Sequence, residues 1–97
     1  MTYNIFVSPI AENDIIRHKK DGQVKIVKKI DQLFSDIENN PFKGIGKPEQ
    51  LKWYKLSRGS LEMWSRRIDK KHRLIYEVNR ESGMVKILSA YGHYDDK

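Results

Sequence analysis

The apolar residues of this chain change their spacing once, from a helical period before residue 40 to an alternating period from Leu51 onward, and that change restricts the fold more than any other feature. Val24, Val27, Ile30, Leu33, Phe34 and Ile37 recur at the interval that lines one face of an α-helix. Between them Lys25, Lys28, Lys29, Gln32 and Asp36 form a polar face, read as solvated, with its lysines also able to contact RNA phosphates. A shorter helix precedes this one. Ile5 to Val7 reads as an opening strand, Ser8 and Pro9 supply an N-cap and a first helical residue, and Gly22 is placed to end the helix beyond Lys20. No strand fits between the two helices, so they are expected to form an antiparallel hairpin, the second stopped by Asn39-Asn40-Pro41.

Phe42 to Pro48 carry two glycines and a proline and read as a loop. Strands are expected near Leu51 to Leu56, Leu61 to Ile68, Arg73 to Val78 and Val85 to Tyr91, with turns at Ser57 to Ser60, Asp69 to His72 and Asn79 to Gly83. Turns this short require antiparallel neighbours. The expected fold class is α+β: two N-terminal helices in a hairpin on one face of a twisted antiparallel β-sheet, with residues 1–97 as a single domain.

A chain of 97 residues has room for one core, so its site is expected on the surface of a compact fold rather than in a large cavity. Nineteen Lys and Arg against 13 Asp and Glu leave a net charge of +6, which attracts polyanions. The absence of cysteine excludes a disulfide framework and a thiolate metal site, and it agrees with a cytoplasmic location. Met1 to Ile10 lack the pattern of a signal peptide, and no apolar stretch reaches membrane-spanning length, so no membrane partner is expected.

Alternation along the strands sorts side chains between a helix-covered face and an open face. Leu74, Tyr76 and Val78 belong inward, which turns Arg73 outward. Trp64 and Ile68 inward put Met63, Ser65 and Arg67 outward and Arg66 on the core side in a structural role. In the last strand Leu88 and Ala90 are expected inward, leaving Ile87, Ser89, Tyr91 and, by continuation, His93 on the face of Arg73. Metal-independent RNA cleavage needs a base for the 2'-hydroxyl, cations for the crowded phosphorane and an acid for the leaving 5'-oxygen. Glu49, the pair Arg67 and Arg73, and His93 can fill those roles, with Tyr94 or Tyr91 available to stack on a base or bond the phosphate.

The segments Lys47-Pro48-Glu49-Gln50-Leu51-Lys52, Trp64-Ser65-Arg66-Arg67-Ile68, His72-Arg73-Leu74-Ile75-Tyr76 and Tyr91-Gly92-His93-Tyr94 occur in one order. Together with Val27-Lys28-Lys29-Ile30 and Asn40-Pro41-Phe42, they resemble the YoeB/Txe family of mRNA interferase toxins, part of the RelE/ParE superfamily. The resemblance implies a toxin of a type II toxin–antitoxin pair, a ribosome-dependent endoribonuclease that cuts mRNA in the A site. It further implies no cofactor or metal, an acidic YefM/Phd-like antitoxin, and a homodimer or a heterotrimer with that antitoxin. By position, Glu49 matches the family's proposed general base, His93 its proposed acid, and Arg73 its phosphate-stabilising arginine, although Glu49 and His93 could exchange roles in a site this electropositive. Arg67 and Lys47 match RNA-holding cations, Tyr94 matches the positioning tyrosine, and Lys52 is a further candidate for binding phosphate.

Three features depart from the family pattern. Lys71 stands where a carboxylate is usual, the stretch from Leu51 to Trp64 is longer, and Asp95-Asp96-Lys97 follow the His-Tyr pair. Two alternative functions share the expected fold: a ParE-like toxin acting on gyrase, and an RNA- or ribosome-binding module without chemistry. His18 and His72 read as surface residues, and the Trp53-Tyr54 pair as packing.

Overall fold

The computed structural model describes residues 2–51 and 61–92. The elements run β1 (Asn4–Val7), α1 (Pro9–Lys20), α2 (Val24–Asn39), β2 (Glu49–Gln50), β3 (Leu61–Arg67), β4 (Arg73–Asn79) and β5 (Met84–Ser89). The five strands form one sheet in the order β1-β5-β4-β3-β2. The α+β architecture expected from the spacing is present.

Local chemistry sets the helix ends. The Ser8 hydroxyl accepts from the Ala11 amide at 3.2 Å, with Pro9 in the first turn. Gly22, at φ 70°, donates to Lys19 O and lets the Gln23 amide return to His18 O, so the chain leaves α1 through a left-handed residue as expected. Asn40 caps the end of α2.

Two features of the sheet differ from the sequence reading. The sheet is mixed, because β1 pairs parallel with β5 while the other neighbours are antiparallel. Short turns dictated the antiparallel expectation, and they say nothing of β1, whose neighbour is the last strand. The second difference is a bulge: Ile75 pairs with Ser89 but Tyr76 with Ile87, leaving Leu88 as an extra residue. The bulge reverses parity on its N-terminal side, so Ile87 is fully buried in the core rather than on the open face. Leu88 is only half-buried. Beyond the bulge Ser89 and Ala90 recover the faces expected of them.

Ala11 of α1 and Ile30, Leu33 and Ile37 of α2 pack against Leu74, Tyr76, Val78, Val85 and Ile87. One charged side chain is fully buried beside this core. Arg66 donates through Nη1 to Asp36 Oδ2 at 2.5 Å and Ile45 O at 3.1 Å, through Nη2 to Asn40 O at 2.7 Å and Lys43 O at 3.2 Å, and through Nε to the Tyr76 hydroxyl at 3.0 Å. That hydroxyl donates onward to Pro41 O at 2.7 Å. The guanidinium thus ties the end of α2 and the loop after it to the centre of the sheet. Asp36, read as part of a solvated face, is its ionic partner. The loop is closed down around this group: a Cβ on Gly44 would lie 1.8 Å from Asp36 Oδ2.

Arg66 is fully buried while the Asp36 side chain is 32% exposed, so removing the arginine acts mainly by leaving the carbonyls of Asn40, Lys43 and Ile45 without their donor. Arg66→Leu is expected to destabilise the fold in urea unfolding by at least the cost of one unsatisfied buried acceptor, about 1–3 kcal/mol. Asp36 supplies a second test. Burial pushes its carboxyl pKa up, but hydrogen bonds from Arg66 and the Ile45 amide, with the guanidinium charge, outweigh that and hold it below its ordinary 3.8. The unfolded chain therefore binds the proton more readily, and the stabilisation is present above pH 3.8 and lost as pH falls through the lower folded value. The urea midpoint is expected to fall more steeply with acid in the wild type than in Asp36→Asn.

Candidate active site

Glu49, Ser65, Arg67 and Arg73 come together on the sheet face turned away from the helices. The register places Glu49 opposite Ser65 and Arg67 opposite Arg73, and residues directly opposed across antiparallel strands project from the same face. Arg73 Nη2 donates to Glu49 Oε1 at 3.1 Å and to Ser65 Oγ at 3.2 Å. Arg73 is 8% exposed, whereas the Glu49 side chain is 57% exposed. The guanidinium is therefore seated among the strands, with the carboxylate at its solvent edge. Glu49, expected in the loop before the sheet, opens strand β2.

Two further cations border this group. Arg67 is exposed directly opposite Arg73, and its amide donates to Gly46 O at 2.6 Å, fastening the incoming loop to the end of β3. Lys47 follows, exposed and at φ 50°, two residues before Glu49. Gly46 has no room for a side chain, since a Cβ there would meet Leu33 at 2.8 Å and Arg67 O at 3.0 Å. Lys47, Arg67 and Arg73 against Glu49 make the patch electropositive, the sign that attracts phosphate. The clamp on Arg66 holds the same loop at residues 40–45, so adjacent residues of β3 serve opposite faces. Lys52, His93 and Tyr94 lie outside the described residues, as do Trp53, Tyr54 and the Asp95-Asp96-Lys97 tail.

The chain just before His93 is held from α1 and from the β3–β4 turn. Asp14 Oδ2 accepts from the Ala90 amide, His18 Nε2 meets Ala90 O, and His72 Nδ1 accepts from the Gly92 amide, each at 2.9 Å. Neither histidine is a free surface group. His18 is 1% exposed, with its ring edge-on to His72 at 4.7 Å and stacked on Tyr91 at 4.8 Å. Tyr91 also carries the Arg17 guanidinium 3.8 Å from its ring centroid, so it packs against α1 instead of standing on the open face. Strand alternation ends with β5 at Ser89, which is why parity fails at Tyr91. Burial first, then the charges of His18, Lys71 and Arg17, lower the His72 pKa below 6.5 against the opposing pull of Asp69.

Sequence reasoning put Ser65 on the correct face without giving it a role, and it missed the linkage of Asp14, His18 and His72 to the last strand. A signal for Asp36 was present. An arginine on the core side by parity requires a carboxylate, and Asp36 lies on the helix that packs over it.

Comparison with known proteins decides the family. The model for a YoeB-like toxin of bacterial type II toxin–antitoxin systems matches residues 10–94. The chain belongs to this family. Toxin YoeB of Streptomyces coelicolor is 42% identical over 78 residues, covering 79% of this chain and 83% of that protein. The YoeB dimer from Staphylococcus aureus superposes with a TM-score of 0.74 at 38% identity, over 97% of this chain and all of that one. The toxin in a YoeB–YefM complex from the same organism gives 0.72 at 39%, over the same shares. Of the residues nominated by resemblance to the YoeB/Txe toxins, Glu49, Arg67 and Arg73 project from one sheet face in this YoeB-like chain, and Lys47 is exposed in the loop two residues before Glu49. No helix among the described residues is long and apolar enough to cross a membrane.

The pair is exposed on the Glu49 side alone, at 57% against 9% for Arg73, but glutamine keeps an oxygen that can accept from the guanidinium. Glu49→Gln is therefore expected to cost no more than about 2 kcal/mol in urea titration, and activity lost by a variant still folded at the assay temperature reports on chemistry.

Proposed function

We propose that this chain is a ribosome-dependent endoribonuclease that cleaves mRNA in the ribosomal A site. The observation that carries the reading is the Glu49–Arg73–Ser65 group, with Arg67 across from it on one open, electropositive face. Its shape suits a strand of RNA presented by a larger body. Glu49 and Arg67 are exposed at its edge while Ser65 and Arg73 are seated between the strands, so a ribosome would hold the substrate while this surface supplies charged groups.

In this mechanism Glu49 takes the proton of the 2'-hydroxyl as that oxygen attacks the adjacent phosphorus. Arg73, seated in the sheet, presents fixed donors to the non-bridging oxygens, and its contact with Ser65 restricts the swing of the guanidinium. Arg67 adds a second cation where charge accumulates, and Lys47 and Lys52 hold the flanking phosphates. The bond from phosphorus to the 5'-oxygen then breaks, His93 protonates the leaving oxygen, and a 2',3'-cyclic phosphate remains. Tyr94 orients the phosphate. No step calls for a metal or cofactor.

Regulation follows the same electrostatics. An acidic YefM/Phd-like antitoxin would neutralise this face and exclude RNA, in a homodimer-based assembly or a heterotrimer. The Staphylococcus aureus complexes of YoeB with YefM, one of them described as heterotetrameric, support an antitoxin partner. The site of action is the cytoplasm, where ribosomes and mRNA meet.

The test is induction in a bacterial host of the wild type beside Arg73→Ala and His93→Ala, with transcript 5'-ends mapped. Growth arrest with cuts inside translated codons is expected for the wild type, and neither for the variants. Arrest with intact transcripts would overturn the nuclease reading and point to gyrase; variants that cut as the wild type does would remove these residues from the chemistry.

A further inference from the structure

Resting on that reading, we propose that His18 and His72 are positioning residues for the cleavage reaction: they hold the backbone of Ala90 to Gly92, from which His93 and Tyr94 continue. Neither touches the reacting atoms. Their effect would pass through the last strand.

The backbone of this short stretch is gripped from two separate elements. From α1, Asp14 takes the Ala90 amide and His18 faces the Ala90 carbonyl. From the β3–β4 turn, His72 takes the Gly92 amide, and the next residue, Arg73, sends its own amide to Gly92 O at 2.9 Å. The dipeptide His72-Arg73 therefore binds both amide groups of Gly92 while the Arg73 side chain reaches Glu49 on the open face. A cation for the phosphate and the lead-in to the proposed acid are set by two adjacent residues. Gly92 itself sits at φ 80°, a left-handed turn that redirects the chain at this point.

Packing alone does not account for imidazoles here. A leucine would fill the space beside Tyr91 but would leave the Gly92 amide and Ala90 carbonyl without these partners. The bonds also assign opposite tautomers. His18 must carry its proton on Nε2 to meet a carbonyl, and His72 must leave Nδ1 bare to meet an N–H. Protonation of His72 would turn that acceptor into a donor and break its link to Gly92. The charged and titratable groups around His72 are Asp14, Arg17 and His18 on α1, Asp69, Lys70 and Lys71 on the turn, and Tyr91. Burial and the neighbouring cations favour the neutral ring, against Asp69.

The experiment compares full-length wild type with His72→Leu and His72→Asn, measuring kcat and KM for mRNA cleavage on translating ribosomes across pH, together with thermal unfolding. Asparagine Oδ1 offers an acceptor close to the place of Nδ1. His72→Leu is expected to lose about tenfold to a hundredfold in kcat with KM within about twofold, the size of effect that small misplacement of a reacting group produces. His72→Asn is expected to recover most of that loss and to lack the fall in kcat expected of the wild type as His72 protonates below pH 6.5. Full activity in a folded His72→Leu overturns the proposal. Equal loss in both variants with a matching fall in melting temperature also overturns it, by making His72 merely structural. The Gly92 amide resonance separates this failure from that of the function. If it tracks His72 titration while the wild type cuts no mRNA, the hydrogen bond is real, the nuclease reading has failed, and the positioning role falls with it.

Discussion

The burial of one guanidinium organises this molecule. Arg66 lies on the strand face that packs against the helices, where an unpaired charge would be prohibitive. Every polar hydrogen direction it offers is answered by Asp36, by the carbonyls of Asn40, Lys43 and Ile45, or by the hydroxyl of Tyr76. Those acceptors come from a helix end, a loop and the neighbouring strand, so satisfying one side chain sets the mutual position of all three. The loop that results leads directly into Lys47 and Glu49. The geometry of the candidate site is thus a downstream result of solving a desolvation problem on the opposite face of the sheet.

Strand pairing supplies the other half of the arrangement. Arg66 and Arg67 are neighbours whose directions differ only because a β-strand alternates, and the alternation sends one into a cage of acceptors and the other toward solvent. Arg73 is intermediate between these two conditions. It is nearly buried yet tied to an exposed carboxylate, which restrains a flexible side chain without removing it from reach of a ligand. The β5 bulge lets a fully apolar Ile87 serve the core while Ser89, two residues on, pairs on the face of Arg73.

Much of this was legible in the residues. Helical periodicity located α2, Ser8-Pro9 and Gly22 marked the ends of α1, and parity placed Arg67 and Arg73 together and Arg66 within. The failures have specific physical causes. A bulge adds a residue without any composition signal strong enough to locate it, so Ile87 was assigned to the wrong face. Tyr91 was placed by extending an alternation past the last hydrogen-bonded pair. His18 and His72 were read as surface groups because their partners are backbone atoms of residues 90 and 92, and a backbone amide leaves no mark in a sequence. Asp36 misled because a carboxylate on the polar side of a helix looks the same whether it faces water or an arginine.

The parallel pairing of the first strand with the last has a consequence for how the molecule comes into being. Asn4 to Val7 find their partners at Met84 to Ile87, while Ser8 reaches Leu88 across 80 residues of chain. Such non-local pairing forms late, because the intervening chain must be ordered or looped out first. During synthesis the helices can form as soon as they emerge, but the edge of the sheet, and with it the anchorage of Ala90 and Gly92, must wait until nearly the whole chain is free. Cotranslational folding of this surface is therefore paced by the emergence of β5, without which β1 has no strand to pair with.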